Sequence, residues 1–144
     1  MSSPNPYAPP TANVEPRASE AAPALWNPNA AGLWSLLFTP IFGSVLLLKN
    51  WRAIGADDKV RRARIWLVVS VVMLVPAMIV GLAGFIYIIV WYFAWQKPQA
   101  TFVKQRWGDG YPRKSWGWPL LIALGCWLAL MAVVVLGVSG LAPG

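Results

Sequence analysis

Side chains able to do acid–base, nucleophilic or metal chemistry are few in this sequence, and their spacing pairs none of them. The 144 residues include no histidine, which removes the commonest general base and metal ligand. The five acids are Glu15, Glu20, Asp57, Asp58 and Asp109. Two lie in a proline-rich stretch, two open the basic run "DDKVRRARIW", and one sits inside a Gly-Asp-Gly turn at 108–110. The hydroxyls of Ser35, Thr39, Ser44, Ser70 and Ser139 fall in apolar blocks with no base nearby in sequence. Cys126 is the one cysteine, so neither an intramolecular disulfide nor a Cys/His metal cluster can form. Among Leu, Gly and Trp it reads as a small packing residue. Gly81, Gly84, Gly108 and Gly110 lack the spacing of a phosphate-binding loop or dinucleotide fingerprint. The expectation is a non-enzymatic protein with no catalytic, cofactor-binding or metal-binding residues.

What must position these residues is a set of apolar helices. The chain is 58% hydrophobic and 12% charged, against about 25% charged residues in soluble domains. Residues 65–95 and 115–144 carry no charge at all, and stretches beyond about 18 apolar residues are candidates to cross a bilayer. The net charge is +7 with a sequence pI near 10.1. The bases are gathered in two connections: Lys49, Arg52, Lys59, Arg61, Arg62 and Arg64, then Lys97, Lys104, Arg106, Arg113 and Lys114. Bases that flank apolar blocks fit cytoplasmic loops and anionic headgroups better than nucleic acid. Arg61, Arg62, Arg64, Lys104, Arg106, Arg113 and Lys114 are therefore assigned to lipid headgroups and topology. No nucleic acid is expected as a partner.

The expected fold class is an all-α integral membrane protein. It has three to four hydrophobic helices, a central helical hairpin and a proline-broken first segment. Residues 1–28 hold seven of the thirteen prolines and read as a disordered or polyproline tail. "MSSPNPYAPP" has neither a basic n-region nor an apolar h-region, so no cleavable signal is expected. The membrane domain is residues 29–144.

In its first segment, 30–54, Thr39-Pro40 reads as an N-cap followed by a first-turn proline, and Gly55 as a C-cap. Two short helices meeting there would make a re-entrant or interfacial hairpin; the competing reading is one kinked span over 31–48. Residues 65–95 are too long for one straight crossing. Keeping both basic connections on one side requires this stretch to double back. Helix 58–80, with Asp57 as N-cap and a kink near Pro76, is expected to turn in "VGLAG", where Gly81 and Gly84 permit unusual backbone angles. Helix 83–106 follows, with Trp91, Tyr92 and Trp95 in an aromatic belt. A last helix, 119–139, carries a small-residue stripe of Gly125, Ala129 and Ala132. The stripe is expected to pack within the chain against an earlier helix, with self-association as the alternative.

The run over 34–51, an aromatic residue, then "LLFTPIFG", then "KNW" and a basic helix start, resembles small bacterial inner-membrane proteins of unknown function. Their pattern is roughly Asn/Trp-x-x-Phe-Phe-x-Pro, then basic and aromatic residues, then a transmembrane helix. The resemblance covers about a fifth of the chain and implies a bacterial cytoplasmic membrane, with no activity or site residues carried over. Two function classes follow. One is a structural, interaction or assembly subunit with membrane lipids, other membrane proteins or itself as partners. The other is a small oligomeric transporter, channel or lipid-handling protein that uses the proline-broken segment.

Overall fold

The computed structural model describes residues 21–141. Seven α-helices make up its regular structure: α1 (Pro28–Phe38), α2 (Pro40–Ile54), α3 (Asp57–Val72), α4 (Leu74–Ile79), α5 (Gly81–Trp91), α6 (Lys97–Trp107) and α7 (Gly117–Leu141). A π-helical turn, Tyr92–Gln96, joins α5 to α6. No strand occurs among the described residues; one isolated bridge pairs Leu25 with Arg113.

The α1–α2 break falls where proline forbids a continued helix. Asn27 caps α1, its Oδ1 accepting from the Asn29 N–H at 3.0 Å, and Pro28 takes the first position, where no donor is needed. α1 thus begins two residues before the expected start at 30. Thr39 then takes φ 83°, the one positive φ outside glycine among the described residues, and its side chain makes no capping bond. Thr39 thus holds the expected N-cap position with Pro40 first in the helix, but it turns the chain through its backbone alone. Ser35 and Gly43, eight residues apart, come into close contact across the break. In a continuous helix they would lie about 12 Å apart along the axis, so the segment turns back and is not a kinked rod. Gly55 ends α2 in the left-handed conformation, as expected.

The α2–α3 link is so short that Ala56 takes the N-cap position. Asp57, expected as the cap, instead lies with Asp58 in the first turn, where the helix dipole favours carboxylates. The kink expected near Pro76 falls at Met73, which separates α3 from α4. Proline at 76 can neither donate to the Val72 carbonyl nor clear it sterically, so the disturbance appears about one turn upstream. The chain doubles back at Val80, which is extended at φ −121°, ψ 92°. Gly81 and Gly84 do not take positive φ. Gly84 serves by its size: a Cβ there would stand 2.9 Å from the Ala77 Cβ. The second arm of this hairpin runs without interruption from Gly81 to Trp107, longer at its start than the expected 83–106.

The core lies between α2, α3 and the α5–α6 arm. Leu47, Leu48 and Trp51 meet Val60 and Ala63 of α3 and Tyr87, Trp91 and Trp95 of the arm. Trp91 and Trp95 are 1% and 6% exposed, which corrects their assignment to an aromatic belt; only Tyr92 of that trio faces outward. A π-helical turn adds one residue per turn, which rephases the arm so that Trp95, Gln96 and Gln99 all point inward.

Two further expectations are corrected. Of the tail 1–28, residues 1–20 lie outside the described residues, but 22–28 are packed and not a free spacer. Leu25 is fully buried against Val103 and Tyr111, and it exchanges backbone bonds of 2.9 Å with Pro112 and Lys114. The stripe on α7 does not pack within the chain: a Cβ on Gly125 would meet nothing within 4 Å, and Ala129 and Ala132 are exposed. α7 touches α1, and its first half faces α1–α2 across a groove. The helix extends to 117–141, two residues beyond the expected 119–139 at each end.

Candidate functional site

The polar residues of the interior converge on the α1–α2 hairpin. In the first set, Asn50 Oδ1 accepts from the Trp26 N–H at 3.0 Å, while its amide donates to Trp26 O at 2.8 Å and Gln99 Oε1 at 3.2 Å. Gln99 in turn donates to Leu47 O at 2.9 Å. Gln96 donates to Pro28 O at 2.8 Å. Asn50, Gln96 and Gln99 are at most 1% exposed. Three uncharged amides thus fasten both ends of the hairpin to the α5–α6 arm.

The second set lies deeper. Trp91 Nε1 donates to Ser44 Oγ at 2.8 Å, Ser44 and Ser70 Oγ are 3.1 Å apart, and Ser70 donates to Trp66 O at 2.8 Å. Ser70 Oγ also stands 2.7 Å from the Tyr87 hydroxyl, so Trp91, Ser44, Ser70 and Tyr87 form one buried hydrogen-bonded chain. Uncharged groups linked in this way hold a geometry. Three buried atoms beside these sets, Trp51 Nε1, Trp95 Nε1 and Gln96 Oε1, have no hydrogen-bond partner among the described residues.

Gly32 and Gly43 let the hairpin seat. A Cβ on Gly32 would lie 2.8 Å from the Gln96 side chain, and one on Gly43 would strike Ser35 Oγ and come within 2.6 Å of the Trp91 ring. Close backbone approach is what these two glycines provide.

Between the hairpin and α7 runs an apolar groove of about 470 Å³. Phe38, Phe42, Val45 and Leu74 form one wall, and Ile122, Cys126 and Trp127 belong to the other. Trp26, Lys49 and Trp118 stand at its α7 N-terminal end. Lys49 Nζ is 5.6 Å and Lys114 Nζ 4.3 Å from the Trp26 ring centroid, and the indole Nε1 donates to Ser115 O at 3.1 Å. A second hollow, about 390 Å³, lies across the hairpin between α1 and α5 and includes Gly32, Leu36, Ile88 and Gln96.

The bases assigned from sequence lie at one end of the bundle. Ile54, at the close of α2, packs against the cluster of Leu25, Val103 and Tyr111, so the two basic connections adjoin. Arg61, Arg62 and Arg64 are exposed on the first turns of α3, and Lys104 and Arg106 are exposed on α6. Arg106 stacks at 5.2 Å from Trp107, Arg113 at 5.7 Å from Tyr111. Lys114 alone of the seven is half-buried, against Trp26. Burial holds the Tyr111 phenol above its ordinary pKa, with Arg113 pulling it down and Asp109 pushing it up. Asp58 pairs with its neighbour Lys59 at 3.5 Å. No group of three Asp, Glu, Cys or His side chains suited to a metal occurs among the described residues.

Sequence reading missed Asn50, Gln96, Gln99 and Tyr87. Their one signal was being strong hydrogen-bonding groups at or inside the edges of apolar blocks, where an unpaired polar group is costly.

Fold and site together define an all-helical bundle in which amide and hydroxyl side chains clamp a proline-broken hairpin beside an apolar groove. Comparison with protein-family models, with curated proteins and with solved structures gives no match to this chain.

Proposed function

We propose that the chain is a non-enzymatic, multi-pass protein of a bacterial cytoplasmic membrane that acts as a structural or assembly subunit. The observation that carries this reading is the exposure of its most apolar helices. Asp57–Ile79 and Gly117–Gly137 are long and apolar enough to cross a bilayer, and only 11% and 6% of their most apolar stretches are buried within the chain. A helix apolar on every side needs an apolar surround, and here the protein does not supply it. On this reading α3–α4, α5–α6 and α7 cross, while α1–α2 enters and turns back. α1 and α2, about 16 and 22 Å long by their 11 and 15 residues, are each short of a hydrocarbon core of about 30 Å. The adjoining basic connections face the cytoplasm. The uncovered Gly125, Ala129 and Ala132 stripe is the surface offered to a partner helix.

With Cys126 replaced by serine, cysteines placed at 57 and 109 should react with a membrane-impermeant reagent from the cytoplasmic side, and one at 81 from the opposite side. Labelling of 57 and 109 from opposite sides defeats the topology. Release of the protein by alkaline carbonate defeats membrane integration. Mass determination after mild detergent extraction tests the role: a stoichiometric unrelated partner is expected. The groove beside the hairpin favours a second reading, lipid handling or transport by an oligomer. A homo-oligomer that moves lipid between leaflets would favour it.

A further inference from the structure

We infer that the groove between the α1–α2 hairpin and α7 binds one phospholipid with an anionic headgroup, an acyl chain along the groove and the phosphate at Lys49 and Lys114. The inference rests on the membrane reading above and adds a ligand and a place to it. Three observations converge. The walls are apolar from Trp118 to Leu130 of α7, a helical rise of about 18 Å, close to the half-thickness of about 15 Å that one leaflet contributes. At one end the polarity changes: Lys49 lines the groove and shares the Trp26 indole with Lys114, and neither lysine has a carboxylate partner among the described residues. That end lies beside the start of α7 and the basic connections, where headgroups would be. The groove therefore matches an amphiphile in both length and sense, with charge at the mouth and hydrocarbon within.

The occupant is a lipid and not a second copy of the chain. A symmetric copy would bring its own lysines to a cationic mouth, and like charges brought together there repel. An anionic headgroup satisfies both lysines, while a zwitterionic one returns a positive charge to the same place.

The test uses the full chain in detergent with equal amounts of phosphatidylglycerol and phosphatidylcholine, read by native mass spectrometry. The expected result is one retained phosphatidylglycerol per chain. K49Q/K114Q should weaken its retention roughly thirtyfold, since each base near a membrane surface contributes about 1 kcal/mol. R61Q/R62Q, which removes two headgroup-facing bases outside the groove, should weaken retention far less than K49Q/K114Q. Ala123→Trp, which fills the groove from α7, should abolish retention while circular dichroism still shows a helical protein. Equal retention of the two lipids, insensitivity to K49Q/K114Q, or displacement by inorganic phosphate alone would overturn the inference. So would a dimer whose formation Ala123→Trp blocks. Carbonate extraction of the same preparation separates the two claims. Release from the membrane defeats integration itself, whereas a retained protein that selects no lipid defeats only the groove assignment.

Discussion

Gly43→Ala is the sharpest probe of the α1–α2 hairpin, because the added methyl group meets its tightest contacts there. The added Cβ would strike Ser35 Oγ and stand 2.6 and 2.8 Å from two Trp91 ring carbons, inside any real carbon–carbon contact. Ser35 is pinned by its own bond to Ala31 O at 2.7 Å, and Trp91 is held by Ser44 at 2.8 Å. Neither can step aside without losing a hydrogen bond. Overpacking of this kind costs about 1–3 kcal/mol. Freeing a buried indole N–H adds about 1–3 kcal/mol. Against this, alanine improves on glycine in a helix by about 1 kcal/mol. The net expectation is a loss of about 1–5 kcal/mol, centred near 3, on these terms.

Gly125→Ala is the control. It brings the same helix-propensity gain to a position where a Cβ meets nothing, and should be neutral or slightly stabilising. Reversible unfolding in mixed micelles, followed by tryptophan fluorescence, gives both values. Adding Ser35→Gly to Gly43→Ala should recover part of the loss, since it removes one of the two colliding groups. The reasoning is refuted if Gly43→Ala is as stable as the parent, or if Ser35→Gly brings no recovery: the hairpin would then not be closed against Trp91.

Thr39→Gly should stabilise the protein by about 1 kcal/mol, because a threonine at φ 83°, ψ 156° occupies backbone space that glycine alone enters freely; the same unfolding assay reads it, and destabilisation counts against the strain. Asn50→Leu strips partners from Trp26 and Gln99 and should cost about 2–4 kcal/mol, with residues 21–27 becoming the first site of limited proteolysis; uniform cleavage elsewhere would mean the amide clamp is not what holds them. Gly125→Leu should leave the isolated chain within about 0.5 kcal/mol of the parent yet abolish any stoichiometric co-purification, separating a partner surface from a folding one. The Tyr111 phenol titrates above its ordinary value of 10.0 because burial favours its neutral form. Its contribution to stability is thus intact below pH 10 and lost as pH rises through the higher folded value; an ultraviolet difference titration against Tyr111→Phe checks the direction.

The chain's punctuation was legible because it is local. Proline at 40 and glycine at 55 each act within one turn, and both helix ends fall where those residues require. The doubling back near Val80 followed from charge, since two basic stretches separated by an uncharged one are a one-dimensional pattern. The clamp was not legible. Its bonds join residues 24 to 68 positions apart, and nothing in the spacing of Asn50, Gln96 and Gln99 reveals that they face one hairpin. The misassigned tryptophans have the same origin. Trp91 and Trp95 sit at the edge of an apolar block as belt residues do, and only the packing of their shared helix face against α2 and α3 turns both inward. Residues 22–28 read as tail because proline and alanine dominate around them, yet Leu25 and Trp26 find partners near 112–115 that no local signal announces.

The two functional readings differ in what they ask of α7, and the structure gives that helix an unusual position. Its first half forms one wall of the groove, while residues from 131 onward line neither hollow. The hairpin beside it stops near Leu74 and Leu130 because Thr39-Pro40 ends it there. The same proline that breaks α1 from α2 therefore also leaves most of the described far half of α7 exposed. A structural subunit would present that half to a partner helix and keep the groove filled by one resident lipid. A lipid-handling protein would need a path past the hairpin tip, where Phe38 and Thr39 line the groove. A resident lipid requires those side chains to bar that path, with a partner on α7. Extending the groove by shortening the tip side chain, Phe38→Ala, should then speed lipid exchange. If exchange is already fast in the parent chain, the resident-lipid role fails and the handling role stands.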